Sequence, residues 1–227
     1  MTTIFEGGER EVGVVGEWNF FDFASKDNLL RTVREQSDQM LALAADPGIW
    51  EAPTASGHWQ VRDIIGHLVD TTEGYFVSFD AAHGRGTAPD PLGVRDMNEH
   101  VDAGAQALRG ASQDELIARL DKDRAEMLAI FEGLDEQAWT GLMVPHKYMG
   151  PLPSCFYPVA QLVDYAVHTW DIRQGTGRSH VLDGDAADLL CRSASSSGSR
   201  PPSATTSSPS RSGCGCRATA AERHESR

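Results

Sequence analysis

Five stretches of the chain carry apolar residues at three- and four-residue spacings, the period of a helix that buries one face. In the first, Leu29, Leu30, Val33, Met40, Leu41 and Ala44 share a face; Ser25 is placed to cap its start, and Pro47-Gly48 stops it near Asp46. The second runs from Trp59 to about His83 with Ile64, Ile65, Gly66 and Leu68 inward, and ends in His83-Gly84-Arg85-Gly86. A weaker pattern, Met97, Val101, Ala105 and Leu108, covers 94–109. Ser112-Gln-Asp-Glu115 has the form of a capping box and opens a helix through Leu116, Ile117, Leu120, Met127, Leu128, Phe131 and Leu134. The last stretch spans 158–177, where Val159, Leu162, Val163, Ala166, Val167 and Trp170 form a stripe predicted to face the core. Pro158 suits its first turn, and Gly175 and Gly177 suit its end.

These patterns predict an all-α fold: a bundle of four main helices near 25–46, 60–83, 112–134 and 158–175, with 94–109 as an extra helix. Residues 1–24 read as an irregular lead-in whose aromatic residues Trp18, Phe20, Phe21 and Phe23 pack on the bundle. Trp59 reads as a wedge inside it. Pro89, Pro91 and Gly93 mark a loop. The segment 140–157, rich in Gly and Pro and without a helical period, reads as a long connection into the last helix. It carries His146, Lys147, Tyr148 and Cys155, each a candidate to face a site, although a loop residue bonded to solvent or backbone is the simpler reading.

The composition changes beyond Leu190. From Arg192 to Arg227 there is no Val, Ile, Leu, Met, Phe, Trp or Tyr, and the balance of charge turns basic. Such a stretch buries too little apolar surface to offset its chain entropy, so 191–227 is predicted to be a disordered tail and the bundle to occupy 25–190. GC-rich codons read out of frame give this composition. A reading-frame slip and a genuine basic tail are its two explanations, which resequencing the gene separates.

Charge narrows the functional classes. A net charge of −13 and a pI near 4.9 argue against nucleic acid as a partner, since phosphate contacts need clustered Lys and Arg. The first ten residues lack the basic and apolar regions of a secretory leader, and no apolar run has membrane-spanning length, so a cytoplasmic protein is expected. Of the four cysteines only Cys155 lies well inside the expected bundle, which argues against a disulfide framework, and nothing around it predicts a reactive thiolate.

Candidate chemistry begins with Asp164 and His168. Four residues apart on a helix, they lie one turn above the other, which suits a pair of metal ligands as well as a plain surface pair. His67 adjoins the apolar stripe of the second helix, so two helices packed side by side would offer three ligands.

The segments W-Q-V-R-D-I-I-G-H-L-V-D (59–70) and D-Y-A-V-H-T-W-D-I-R (164–173) resemble the mycothiol-dependent maleylpyruvate isomerase family, within the DinB-like metal-binding helical bundles. The resemblance covers roughly 25–188. It implies that His67, Asp164 and His168 are metal ligands, with Asp164 where several relatives carry Glu, and that a C-terminal domain bordering the site follows in full-length relatives. Two imidazoles and a carboxylate suit Zn²⁺ with a fourth position open, and Fe²⁺ and Ni²⁺ accept the same set. A low-molecular-weight thiol bound there, mycothiol by resemblance, becomes a thiolate nucleophile toward an electrophilic small molecule. It would add to and leave a double bond in an isomerase, or remain attached in an S-transferase.

Around this set, Asp63 is a candidate to orient His67, with ordinary helix surface an equally good reading; Asp171 and Arg173 carry the same pair of readings, and Arg173 is a candidate to meet an acidic substrate group. The competing readings are a metal-binding bundle without catalysis and a helical interaction protein with packed histidines. A monomer or a homodimer is expected.

Overall fold

The computed structural model describes residues 19–88 and 90–196; the predicted lead-in before Asn19 and the predicted tail after Ser196 lie outside them. The four long helices expected from the apolar periods are present as α1 (Lys26–Ala44), α2 (Val61–Ala82), α4 (Gln113–Gly133) and α6 (Phe156–Gly175), and the weaker pattern as α3 (Met97–Ala107). A short α5 (Glu136–Gly141), a hairpin of β1 (Met143–His146) and β2 (Gly150–Pro153), and a final α7 (Gly184–Ser196) complete the described chain. α7 packs on α1 and α6 and continues past the expected boundary at Leu190.

One core unites these elements. Leu29, Val33 and Met40 of α1, Ile64, Ile65 and Phe79 of α2, Leu116, Leu120 and Phe131 of α4, and Leu162, Tyr165 and Ile172 of α6 are all buried in it. Burying a side chain of this size contributes about 1.5–3 kcal/mol, so this shared interior is the main driving force for the helical assembly. α1 packs against α6 and α4, while α2 packs against α4, α3 and β1. Close approach of α2 and α3 depends on Gly66, since a Cβ there would stand 2.9 Å from the carbonyl oxygen of Ala105.

Three local expectations are corrected. Ser25 makes no side-chain cap; it ends a 3-10 turn, Phe23–Ser25, whose own cap is Asp22, accepting from the Ala24 amide. Ser112, by contrast, does cap α4, accepting from the Glu115 amide at 3.2 Å.

On α6 the core-facing arc is Val159, Leu162, Tyr165, Ala166 and Ile172, whereas Val163 and Val167 are 38% and 39% exposed. Polar residues explain the difference: Gln161, Thr169 and Asp171 are buried with the arc, so hydrophobicity alone rotates the apparent stripe toward the wrong side.

The stretch 140–157 is not an irregular connection. It ends α5 and forms the antiparallel hairpin, in the register Met143↔Pro153, Val144↔Leu152, Pro145↔Pro151 and His146↔Gly150. Strands of four residues interrupted by proline are too short to show a two-residue alternation, and proline ordinarily argues against a strand. Tyr157 at the start of α6 fastens this hairpin, its hydroxyl donating to the carbonyls of Val144 (3.2 Å) and Pro145 (3.0 Å).

Candidate metal centre

α2 and α6 each bring one polar line to the same place. His67 lies on α2 beside Ile64, Ile65 and Leu68, which are buried, and the packing of those residues fixes its direction. On α6, Asp164 and His168 point the same way from successive turns. One ligand atom from each of the three lies within 4.8 Å of the others. His67 Nε2 stands 4.0 Å from Asp164 Oδ1, and the two imidazole rings meet edge to face with centroids 5.2 Å apart. A zinc ion takes nitrogen and carboxylate donors at about 2.0–2.2 Å, so this donor set and spacing fit a first-row divalent ion after small side-chain rotations.

The outer contacts select the atoms that face the centre. His168 Nδ1 lies 3.0 Å from Asp171 Oδ2; the carboxylate accepts a hydrogen bond from Nδ1–H, which leaves the Nε2 lone pair for a metal. Asp171 is therefore not plain helix surface. His67 Nδ1 faces the Thr71 hydroxyl at 3.3 Å, one turn along α2.

Trp59 covers both rings, with centroids 5.3 Å from His67 and 5.9 Å from His168. Its indole N–H donates to Asp102 of α3 at 2.7 Å, and Asp102 also receives Gln106 at 2.7 Å and faces His58 Nε2 at 2.9 Å. Those bonds, the indole's first, hold the Asp102 carboxyl below its ordinary pKa. The loop that delivers Trp59 crosses the end of α6 where Gly175 stands. A Cβ there would collide with the backbone of Pro53 and Thr54, and the Ala55 amide donates to the Asp171 carbonyl at 3.0 Å.

Two candidate roles are not found. Asp63 does not orient His67. It sits in the first turn of α2, where its carboxylate reaches back to the Gln60 amide (2.8 Å) and takes both Nε and Nη2 of Arg109 at 2.6 and 2.7 Å. Burial alone would raise its pKa, but the guanidinium and the amide hold it below the usual carboxylate range. Arg173 turns toward α1, where it donates to Gln39 at 3.4 Å, and so does not face the centre.

The cluster opens on a cavity of about 300 Å³ whose lining includes His67, Asp164, Tyr75, His146, Lys147 and Tyr148. Three of the four residues singled out in 140–157 thus reach it. Cys155 does not: it is buried, and burial pushes its thiol up to about 12. Lys147 Nζ stands 3.7 Å from Asp70 at the cavity's edge. Tyr75, whose hydroxyl is kept protonated by burial and then by Asp164, was missed in the sequence, as was Thr71. Their signal was their spacing, since 67, 71 and 75 fall on one line of α2.

Residues 30–173 match the family model of the mycothiol maleylpyruvate isomerase N-terminal domain, a span that contains all three clustered side chains. The chain belongs to this family. Its fold is similar to that of a mycothiol-dependent maleylpyruvate isomerase, with a TM-score of 0.53 and 16% identity over 74% of this chain and 66% of that one. A mutant of such an isomerase gives a TM-score of 0.54 at 14% identity, over the same shares of each chain. The colibactin self-resistance protein ClbS, solved in complex with a dsDNA, is similar at a TM-score of 0.55 and 11% identity, over 66% of this chain and 94% of that one. At these identities the likeness concerns the fold alone. This family member spans 66% of the length of the isomerase. No curated protein matches it significantly.

Proposed function

We propose that this chain is a metal- and mycothiol-dependent isomerase or S-transferase, in which His67, Asp164 and His168 hold a divalent metal, zinc by preference, with one position open. The observation that carries this reading is the convergence of three donors from two helices, of which His67 and Asp164 line the cavity, with His168 Nδ1 already committed to Asp171. When bound, such a metal supplies a Lewis-acidic position that favours the thiolate form of a coordinated thiol. Everything else falls to the chain's own side chains. Asp171 holds the His168 imidazole in the tautomer that presents Nε2, and the Thr71 hydroxyl steadies the orientation of the His67 ring. Trp59 covers the two rings and limits water on that side. Lys147, half exposed at the rim, offers a positive charge to an anionic group of the substrate.

Family membership supports mycothiol as the thiol, and the net charge of −13 supports a small molecule over nucleic acid as the partner. Among the described residues no helix is long and apolar enough to cross a membrane. We assign the activity to the cytoplasm, where free thiols stay reduced. Metal analysis of the purified full chain, followed by an assay with mycothiol and maleylpyruvate, tests the reading. One metal ion per chain and thiol-dependent turnover are expected. Metal without turnover would leave a binding bundle, and absence of metal defeats the proposal.

A further inference from the structure

The hairpin wall of the cavity holds a histidine that the metal cluster does not use. His146 ends β1, and its Nδ1 accepts two backbone bonds from the turn that follows, from the amides of Tyr148 and Met149, each at 3.2 Å. An imidazole nitrogen that accepts from two N–H groups carries no proton of its own, so the neutral ring must carry its proton on Nε2. The ring is held in place by aromatic neighbours, with centroids 6.0 Å from Tyr148, 6.1 Å from Tyr157 and 6.5 Å from Tyr75. β1 itself is fastened by the Tyr157 hydroxyl. Burial lowers the pKa of His146 and so favours the neutral ring, in line with the two amides that point at Nδ1. Among the described residues no hydrogen-bond partner of Nε2 is found, and the side chain lines the same cavity as His67 and Asp164.

We propose that His146 is a catalytic residue whose Nε2–H donates a hydrogen bond to the carbonyl oxygen of an α,β-unsaturated carbonyl substrate. The assignment rests on the function proposed above. In that reaction the thiolate sulfur adds to the β-carbon. A C–S bond forms, the C=C π pair moves toward the carbonyl, and negative charge collects on the carbonyl oxygen as an enolate. The former double bond is now single and rotates. The enolate pair then re-forms C=C and the C–S bond breaks, returning the thiolate. No net proton, oxidant or reductant enters. The chain's contribution is a donor aimed at the oxygen where charge develops, and a neutral imidazole serves because it neither gives up its proton fully nor needs reprotonation each cycle.

Nitrogen-resolved NMR of the imidazoles in the zinc-loaded full chain provides a readout independent of turnover. His146 is expected as the neutral Nε2–H tautomer, and its Nε2 signal should move when maleylpyruvate is added with mycothiol. Two variants separate donor from scaffold. His146→Asn keeps an acceptor for the Tyr148 and Met149 amides but withdraws the donor, so it should retain zinc and melting temperature while isomerisation falls about 100-fold. His146→Gln places an amide N–H near the Nε2 position and should recover part of the loss. An Nδ1–H tautomer, an Nε2 signal indifferent to maleylpyruvate, or unchanged turnover in His146→Asn would each overturn the assignment while leaving the metal reading intact. Absence of zinc from the unmodified chain would instead bring down the metal reading and this assignment with it.

Discussion

The cavity has a helical wall and a hairpin wall, and they are held by different means. On the helical side, His67, Asp164 and His168 stand on long helices whose neighbouring residues are buried in the common core, and a hydrogen bond to Asp171 or Thr71 fixes the outer nitrogen of each ring. On the other side, His146, Lys147 and Tyr148 stand at the end of two four-residue strands, fixed by backbone bonds within the turn, by the Leu92 amide donating to the Lys147 carbonyl at 2.9 Å, and by the Tyr157 hydroxyl. A first-row metal tolerates little error in donor position, and packed helices provide that precision. A substrate needs only a few directed polar groups and benefits from a wall that adjusts to it. Changes to the helical wall should therefore act on metal occupancy and stability, and changes to the hairpin wall on substrate alone.

The largest effect expected from this division is at the donors themselves. His67→Ala or His168→Ala should cost most of the bound metal, more than about 100-fold in affinity, while Asp164→Glu should largely preserve it because the carboxylate is kept. Metal content after purification decides it. Retention in both alanine variants would defeat the shared centre.

Next is the anchor of the helical wall. Asp63 is fully buried and paired with Arg109, which is 36% exposed. Asp63→Ala should cost about 3 kcal/mol, the low end for breaking a buried pair because the arginine can partly rehydrate. The folded-state pKa of Asp63 lies below its unfolded value, so its stabilisation is fully present above about pH 4 and is lost as pH falls through the folded value. Chemical denaturation of both proteins from neutral pH to pH 3 should show the gap between them closing toward the acid end. A gap constant with pH would show that the pair carries no linked stabilisation.

A smaller effect is expected at Asp171. Replacing it with Asn preserves shape but lets the amide present either face to His168 Nδ1, so the tautomer is less firmly held. Metal affinity should fall about 10–100-fold by competition titration, with the melting temperature of the metal-free protein little changed.

The two walls also differ in what the sequence disclosed. The proximity of Asp164 and His168 was legible because helix geometry converts a four-residue spacing into nearness, whereas His67, on a different helix, joined them through the apolar stripe beside it and the family resemblance. The same rule failed one position away on α6, where Val163 and Val167 read as core although Gln161, Thr169 and Asp171 occupy the buried side. Asp63 was misread because spacing places it one turn before His67 but does not reveal that a first-turn carboxylate reaches back to the open amides of its own helix. The hairpin left no period to read, since Pro145, Pro151 and Pro153 mask both strands and their pairing is a tertiary fact secured by Tyr157 from a neighbouring element. His146, Lys147 and Tyr148 could be noticed as residue types, but nothing in their spacing told that they face the same space as His67.

The smallest effect should come from Lys147, and it tests the division from the hairpin side. Its ammonium group stands 3.7 Å from Asp70, and with both side chains well exposed this pair contributes little to stability. Lys147→Met keeps most of the aliphatic stem and removes the charge, with the loss only of an exposed ammonium 5.6 Å from the Tyr148 ring centroid, so folding and metal content should be nearly unchanged. An anionic substrate loses only a partly screened attraction, which predicts a rise in KM of about 3- to 10-fold with kcat nearly constant, and a weaker dependence of KM on salt than in the unmodified protein. Steady-state kinetics at two ionic strengths measures all three quantities. A fall in bound metal would mean that the hairpin supports the centre after all, and the two walls would then have to be regarded as one structural unit.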